Sequence, residues 1–333
     1  MGIHHFGKLL KSVGITCELL NLTPIGESRI ILVDIYNFYY KSTRSKGLKV
    51  AKNPHIQGIF NLISFLRAHG FIPICVFDGK PPVSKIKLIE ARKVKANKQL
   101  PSKKWEAPKV AEPLDEVEAE ASYGISNQIT DIIQLLQLLG IPYVRHHQYE
   151  AEMVCAWMCA NFKGKIFGVL GDDWDLLILG CPVLRNLNFS AKTVEFYDPV
   201  SIRNQLELTT TQLMDLVIMM GCEHSEHIIG IDGSELLNLL RALHTGHATT
   251  EFISHNYTSN EKVKVPNIDF ESVRSRFRIP DLDFMKHSYN MANISKFQEN
   301  SPRDTRFIKS ALYKLCPDMK QYIIDEKLGE IFQ

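Results

Sequence analysis

The sequence predicts an α/β protein built on a mainly parallel central sheet flanked by helices. Two apolar runs carry that prediction, RIILVD at 29–34 and IPICVFD at 72–78, each uninterrupted and each ending on an aspartate. Continuous hydrophobicity over so short a stretch is the pattern of a strand covered on both faces, as in a parallel sheet. Strand-like and helix-like stretches then alternate along most of the chain, which is βα repetition rather than a succession of hairpins.

The elements follow in order. After the first strand, residues 54–69 read as an amphipathic helix stopped by Gly70. The second strand runs into a basic stretch that Pro101, Pro108 and Pro113 interrupt, so it cannot be one long helix. Helical periodicity resumes over 115–139, and Gly140 opens a short strand, GIPYV. Residues 150–160 place Val154, Trp157 and Met158 at helical spacing, with Glu150 and Glu152 at the helix start. A strand at 165–170 leads into GDDWD at 171–175. The apolar run 211–220 reads as a helix closed by Gly221, with Glu223 just beyond. The last seventy residues are more polar and read as helical without a defined tertiary role.

Composition sets the class. With 333 residues and 45% apolar content the chain has the make-up of an ordinary globular protein. Net charge is only +2, but its distribution is uneven: bases outnumber acids from Lys80 to Lys109, and the sign reverses from Glu112 to Glu120. Such segregation suggests one surface turned toward a polyanion. The seven cysteines form no CxxC pair, which argues against a zinc site and for reduced thiols. The N-terminus has no charged n-region followed by an apolar core, and no apolar run approaches spanning length. The expectation is an intracellular, soluble protein without membrane contact.

In open α/β sheets, ligands bind beyond the carboxyl ends of the strands. Three predicted strands deliver Asp34, Asp78 and the Asp173/Asp175 pair to that edge, and the helix bearing Glu150 and Glu152 follows a fourth. One acid after a strand is a common turn residue. Several converging acids are different, because two carboxylates 4 Å apart repel by about 4 kcal/mol at an effective dielectric near 20. Hard cations with oxygen ligands relieve that repulsion. Two divalent ions roughly 3.5–4 Å apart are a known solution for phosphodiester hydrolysis. The pattern therefore points to metal-dependent phosphoryl transfer.

Several motifs then line up. MGIHHFGKLL opens the chain; Val33 and Asp34 with Tyr40, VFDGKPP at 76–82, LGIPY at 139–143, EAEMVC at 150–155, DDWD at 172–175 and PVL at 182–184 follow. Their order and spacing over about residues 1–235 resemble the flap endonuclease family of structure-specific 5′ nucleases, of which this chain looks like a divergent member. The resemblance implies a nuclease core over 1–258, with a helical arch at 84–123 and a helix–hairpin–helix-like duplex-binding region at 208–245, followed by a C-terminal helical extension at 259–333. It places Asp34, Asp78, Glu150, Glu152, Asp173 and Asp175 at the family's metal-binding carboxylates, with Asp172 behind them. Two Mg²⁺ ions are the implied cofactors, with Mn²⁺ as a substitute, and flapped or branched DNA is the implied substrate for endonuclease and 5′ exonuclease cleavage in replication or repair. Lys85 and Arg92 match the family's basic catalytic pair. Seven residues apart on a helix is nearly two turns, so both would share one face about 10 Å apart along the axis. Tyr40 looks like the aromatic on which a base stacks, and Gly2 like a glycine near the DNA junction. Lys80, Lys87, Lys93 and Lys95 belong to the basic stretch expected to contact phosphates without sequence preference.

Two departures stand out. Where the family places an aspartate in its last acidic motif, this chain has Gly221, Cys222, Glu223 and His224. Glutamate keeps the charge but extends the carboxylate by one methylene, so a second metal would be held differently. The hairpin that follows reads GIDGSE at 230–235, and Asp232 and Glu235 put negative charge where duplex phosphate would dock. Arg203 and the lysines at 262 and 264 are alternative grips.

At the C-terminus, residues 301–312 resemble the family's trailing helix. Asp325, Leu328, Ile331 and Phe332 make only a degenerate version of a sliding-clamp motif, and the plain end of an amphipathic helix is the preferred reading. The protein is expected to act as a monomer, in the nucleus or another compartment where DNA is replicated. The alternative to a working enzyme is a catalytically silent binder of DNA junctions.

Overall fold

The computed structural model describes residues 3, 5–22, 28–44, 51–79, 127–243, 248–257, 262–281 and 305–332. Seven strands form one sheet: β1 (Glu18–Asn21), β2 (Arg29–Asp34), β3 (Phe71–Phe77), β4 (Tyr143–Arg145), β5 (Ile166–Leu170), β6 (Val183–Asn188) and β7 (Thr193–Tyr197). Their order is β1-β7-β6-β5-β2-β3-β4. The pairs β2–β3, β2–β5, β3–β4 and β5–β6 are parallel, while β7 pairs antiparallel with both β6 and β1. The mainly parallel expectation holds, and the antiparallel β6–β7–β1 flank is an addition that the apolar runs did not signal.

The helices, in chain order, are α1 (Phe6–Ser12), α2 (Ile35–Arg44), α3 (Pro54–Ala68), α4 (Asn127–Leu139), α5 (Ala151–Asn161), α6 (Asp175–Ile178), α7 (Pro199–Gln205), α8 (Thr210–Met220), α9 (Gly233–Ala242), α10 (Thr250–Asn256), α11 (Phe270–Arg276), α12 (Thr305–Leu315) and α13 (Gln321–Phe332). They cover both faces of the sheet. Alternation along the strands decides which face each side chain feeds: Leu32, Ile74 and Val76 join the core under α1, α5, α8, α9 and α11, whereas Ile31, Val33, Cys75 and Phe77 join the core under α2, α3, α4, α12 and α13. Every residue of β3 is buried, which is why its sequence lacks a polar face. Its Pro73 is tolerated because Cys75, pointing the same way two residues on, donates to Pro142 just before β4 begins; at the level of Pro73 no β4 residue is paired.

The C-terminal extension has a tertiary role after all. Its helices divide between the two cores: Phe270 and Val273 of α11 pack on one face, and Ile308, Leu312, Ile324, Leu328 and Ile331 of α12 and α13 on the other. The α13 helix is tied to α3 by Ser64 donating to Glu330 (2.5 Å) and Arg67 donating to the Ile331 carbonyl (3.2 Å). Leu328 and Ile331, the aliphatics of the degenerate clamp motif, are thereby committed to the protein's own core. On the opposite face, the buried Arg274 of α11 pairs with the fully buried Asp215 of α8 at 2.7 Å, and Asp215 also accepts from the Ala248 amide. That network satisfies both charges, the condition under which a buried ion pair is tolerated.

The arch segment 84–123 lies outside the described residues. The segment read as duplex-binding comprises α8 and α9 joined by a loop that pairs with a neighbouring strand segment through Ile229 and Lys264. Gly230 sits there at φ 88°, and a Cβ on it would fall 2.4 Å from the Lys262 carbonyl, so only glycine fits.

Candidate active site

The carboxyl ends of β2, β3, β4 and β5 meet where the strand order reverses, between β2 and β5. In a doubly wound sheet this is the crevice where ligands bind. Three of the acids read from the sequence come together there. Glu152 from the first turn of α5, Asp173 from the loop after β5 and Asp175 from the start of α6 bring one carboxylate oxygen each within 4.8 Å of the others.

Asp34, the last residue of β2, stands beside them. Its carboxyl pKa is pushed up from 3.8 to about 7, first by burial and then by the charges of Asp78 and Asp173; amide donation from Asn37, and from Tyr36 at 3.1 Å, only partly offsets this. Asp78 follows β3 and takes another task as well. Its Oδ1 accepts the Ala151 amide at 2.7 Å, so it caps α5 from a neighbouring element. A carboxylate is favoured at a helix N-terminus by the exposed amides and the helix dipole. Glu150 occupies the N-cap position of α5 but makes no side-chain cap bond, consistent with Asp78 filling that role. The chain can approach so closely only because residue 79 is glycine: a Cβ there would lie 1.9 Å from the His146 carbonyl and 2.7 Å from that of Tyr149.

The loop carrying Asp173 and Asp175 is held from behind. Asp173 accepts the Asp175 amide at 3.2 Å. Asp172 forms an ion pair with Lys41 of α2 and accepts the Asn186 amide at 3.4 Å, so it braces the loop and lies outside the tight group of three. Trp174 packs edge-on against Phe6 and Tyr197, and the Arg185 guanidinium stacks 3.7 Å above its ring. Burial pulls the Arg185 pKa down while Asp172 and Asp173 pull it up. Beneath the cluster, burial drives the Cys155 thiol well above its ordinary range, with Asp34, Asp78 and Glu152 adding to the shift. It is an inert core thiol.

Glu150 and Glu223 also lie outside the tight group of three. Glu223 is half-buried in the loop after α8, next to Cys222, whose thiol feels the charge of Asp175. Asp232 proves to be the N-cap of α9, accepting the Glu235 amide at 2.9 Å, so its charge is spent locally on a helix end. Tyr40 stands 46% exposed on α2, flanked by Tyr36 and Tyr39. Gly2, Lys80, Lys85, Lys87, Arg92, Lys93 and Lys95 lie outside the described residues. Lys41, Tyr36, Arg145 and Arg185 are site neighbours that sequence reasoning passed over. Each is a single side chain with no motif of its own, brought to the site by strand register or by a helix turn.

The cluster suits a hard divalent cation. All its donors are carboxylate oxygens, and opposite ligands of an octahedral Mg²⁺ stand about 4.2 Å apart, or about 5 Å for a larger ion such as Ca²⁺. A spread of 4.8 Å is spanned by either with small side-chain rotations. The fold and cluster together define an α/β protein with an acidic crevice at the switch point of its sheet.

Comparison with known proteins narrows that class. The XPG N-terminal domain matches residues 1–100 and the XPG I-region matches residues 140–223. Flap endonuclease 1-B of Oryza sativa subsp. indica is 28% identical over 332 residues, covering 93% of this chain and 79% of its own. Flap endonuclease 1 of Eremothecium gossypii is 31% identical over 264 residues, covering 75% and 67%. Among solved structures, flap endonuclease-1 from Methanococcus jannaschii superposes with a TM-score of 0.62 at 21% identity over 96% of both chains. The catalytic core of Rad2 in complex with DNA substrate superposes at 0.64 with 22% identity over both whole chains. This chain belongs to the flap endonuclease family. No helix among the described residues is long and apolar enough to cross a membrane.

Proposed function

We propose that this protein is a divalent-metal-dependent, structure-specific nuclease that cuts the 5′ flap of branched DNA, with accompanying 5′ exonuclease activity. The observation that carries the reading is the convergence of Glu152, Asp173 and Asp175 within 4.8 Å, with Asp34 and Asp78 alongside, at the switch point of a family-type fold. Glu152, Asp173 and Asp175 would hold one ion. Asp34, Asp78, Glu150 and Glu223 would complete the sphere of the pair directly or through water. Two bound Mg²⁺ ions would orient the scissile phosphate, lower the pKa of the attacking water and neutralise the leaving oxygen.

The chain's own residues supply the rest. Lys41 holds Asp172, and the Arg185–Trp174 stack fixes the loop, so Asp173 and Asp175 keep their places when charge enters the site. The exposed Tyr40 ring offers a platform for the base beside the scissile bond. Lys85 and Arg92 are assigned by family resemblance to clamp the scissile phosphate and offset its developing charge. Gly2 would lie at the junction, and Lys80, Lys87, Lys93 and Lys95 would follow the phosphates of the threaded strand. Lys264, paired through backbone to Ile229 in the hairpin whose Asp232 is spent on capping, and its neighbour Lys262 fit a grip on the duplex.

The test is a panel of 5′-labelled substrates, comprising double flap, nicked duplex, blunt duplex and four-way junction, incubated with Mg²⁺, with Mn²⁺ and with EDTA. The expected result is incision near the junction of the double flap, fastest among the four and absent in EDTA. Tight binding of the flap with no product in either metal would replace the enzyme by a junction binder.

A further inference from the structure

The Asp78 side of the crevice carries a cation and a phenol that nothing above uses. Residue Arg145 ends β4, paired in register with Phe77, so it stands at the same sheet edge as Asp78. It is exposed, and its Nε donates to the Asp78 main-chain carbonyl at 3.3 Å. Among the described residues its terminal amino groups make no hydrogen bond or ion pair. The Asp78 carboxylate accepts the Ala151 amide at 2.7 Å.

Tyr36 begins α2 two residues after Asp34. Its ring is wedged against Tyr39 and Tyr40, with centroids 6.3 and 6.4 Å away, so its direction is set. Its hydroxyl lies within electrostatic reach of both Asp78 and Arg145 and makes no hydrogen bond among the described residues. Tyr40 is one helical turn further on, with its ring open to solvent.

An acidic cluster repels the phosphates that flank the one it acts on. Donors beside it have to offset that repulsion, and a guanidinium fork suits phosphate oxygens in a way few side chains do. We propose that the Tyr36 hydroxyl and the Arg145 guanidinium together bind one backbone phosphate of the cleaved strand, next to the nucleotide whose base stacks on Tyr40. The inference rests on the nuclease reading and adds a specific phosphate subsite to it.

The experiment uses double-flap DNA carrying a single neutral methylphosphonate, moved one linkage at a time across the junction of the flap strand. Cleavage by wild type, Arg145→Gln and Tyr36→Phe is measured as kcat/KM with each substrate. On unmodified DNA, Arg145→Gln is expected to lose about tenfold to a hundredfold and Tyr36→Phe roughly two- to tenfold. At one linkage, the same for both variants, neutralisation slows the wild type but has much less further effect on either variant. If both variants stay as sensitive as the wild type at every linkage, whatever their absolute rates, the subsite is refuted. If the wild type cuts no flap at all, it is the nuclease reading that fails.

Discussion

Replacing Asp34 with asparagine is expected to stabilise the metal-free protein at neutral and alkaline pH. In the folded state the Asp34 carboxyl titrates near 7, against 3.8 for the ordinary group, because it is half-buried and desolvated beside Asp78 and Asp173. The folded protein therefore holds a proton there that the unfolded chain has already released. Stability from this group is fully present below about pH 4 and is lost as pH rises toward 7, by about 1.4 kcal/mol per pH unit. Across the interval from 3.8 to about 7 the loss is at most about 4 kcal/mol. Asparagine keeps an oxygen for the Tyr36 amide but carries no charge. Urea unfolding in EDTA, run from pH 4.5 to 8.5, gives the difference between the two proteins. It is expected to be small at pH 4.5, to grow in favour of Asp34→Asn, and to level off above pH 7. Added Mg²⁺ then reverses the order at pH 8, because only the wild type binds it fully and gains from mass action. A difference that ignores pH, or an asparagine variant less stable at pH 8 without metal, would refute the placement of Asp34 against its acidic neighbours.

Three further outcomes follow from the packing. Gly79→Ala puts a methyl 1.9 Å from a main-chain oxygen that cannot move aside, so the Asp78 cap of α5 is displaced; thermal melting drops by several degrees and flap cleavage falls sharply. Arg274→Leu leaves Asp215 charged and unpaired in the core, a loss of about 3–5 kcal/mol on urea unfolding that the double variant Arg274→Leu/Asp215→Leu largely restores. Leu328→Ala removes a side chain buried between α13 and α3 and costs about 2–5 kcal/mol; a surface leucine held ready for a clamp would cost almost nothing by the same measurement.

Much of this architecture is legible in the chain. The runs at 29–34 and 71–77 announce buried parallel strands because both faces of β2 and β3 are covered, so no polar residue interrupts them. The acids are legible for a related reason: each closes a strand or opens a helix, and sheet topology then converges them. The antiparallel flank escaped notice because β1 has only four residues and β6 is buried only at Val183 and Leu184, with Leu19 and Asn188 exposed, so no continuous apolar run marks either strand. The role of the C-terminal helices was hidden since amphipathicity says that a helix packs but not against what; α13 finds α3 across more than 250 residues of sequence. Asp172 and Asp232 show the limit of reading charge alone. One is braced by Lys41 and the other caps α9, and neither fate can be seen without the neighbours that distance in sequence conceals.

The central claim is that Glu152, Asp173 and Asp175, with their acidic neighbours, hold the catalytic metal. Anomalous scattering from crystals grown with Mn²⁺ tests it most directly, comparing the wild type with Asp173→Asn. The account predicts manganese peaks within about 2.0–2.3 Å of carboxylate oxygens in this crevice for the wild type, and loss of the peak among these three residues in the variant. Manganese bound elsewhere, or a crevice left empty at saturating metal in a protein that still cuts flaps, would contradict it.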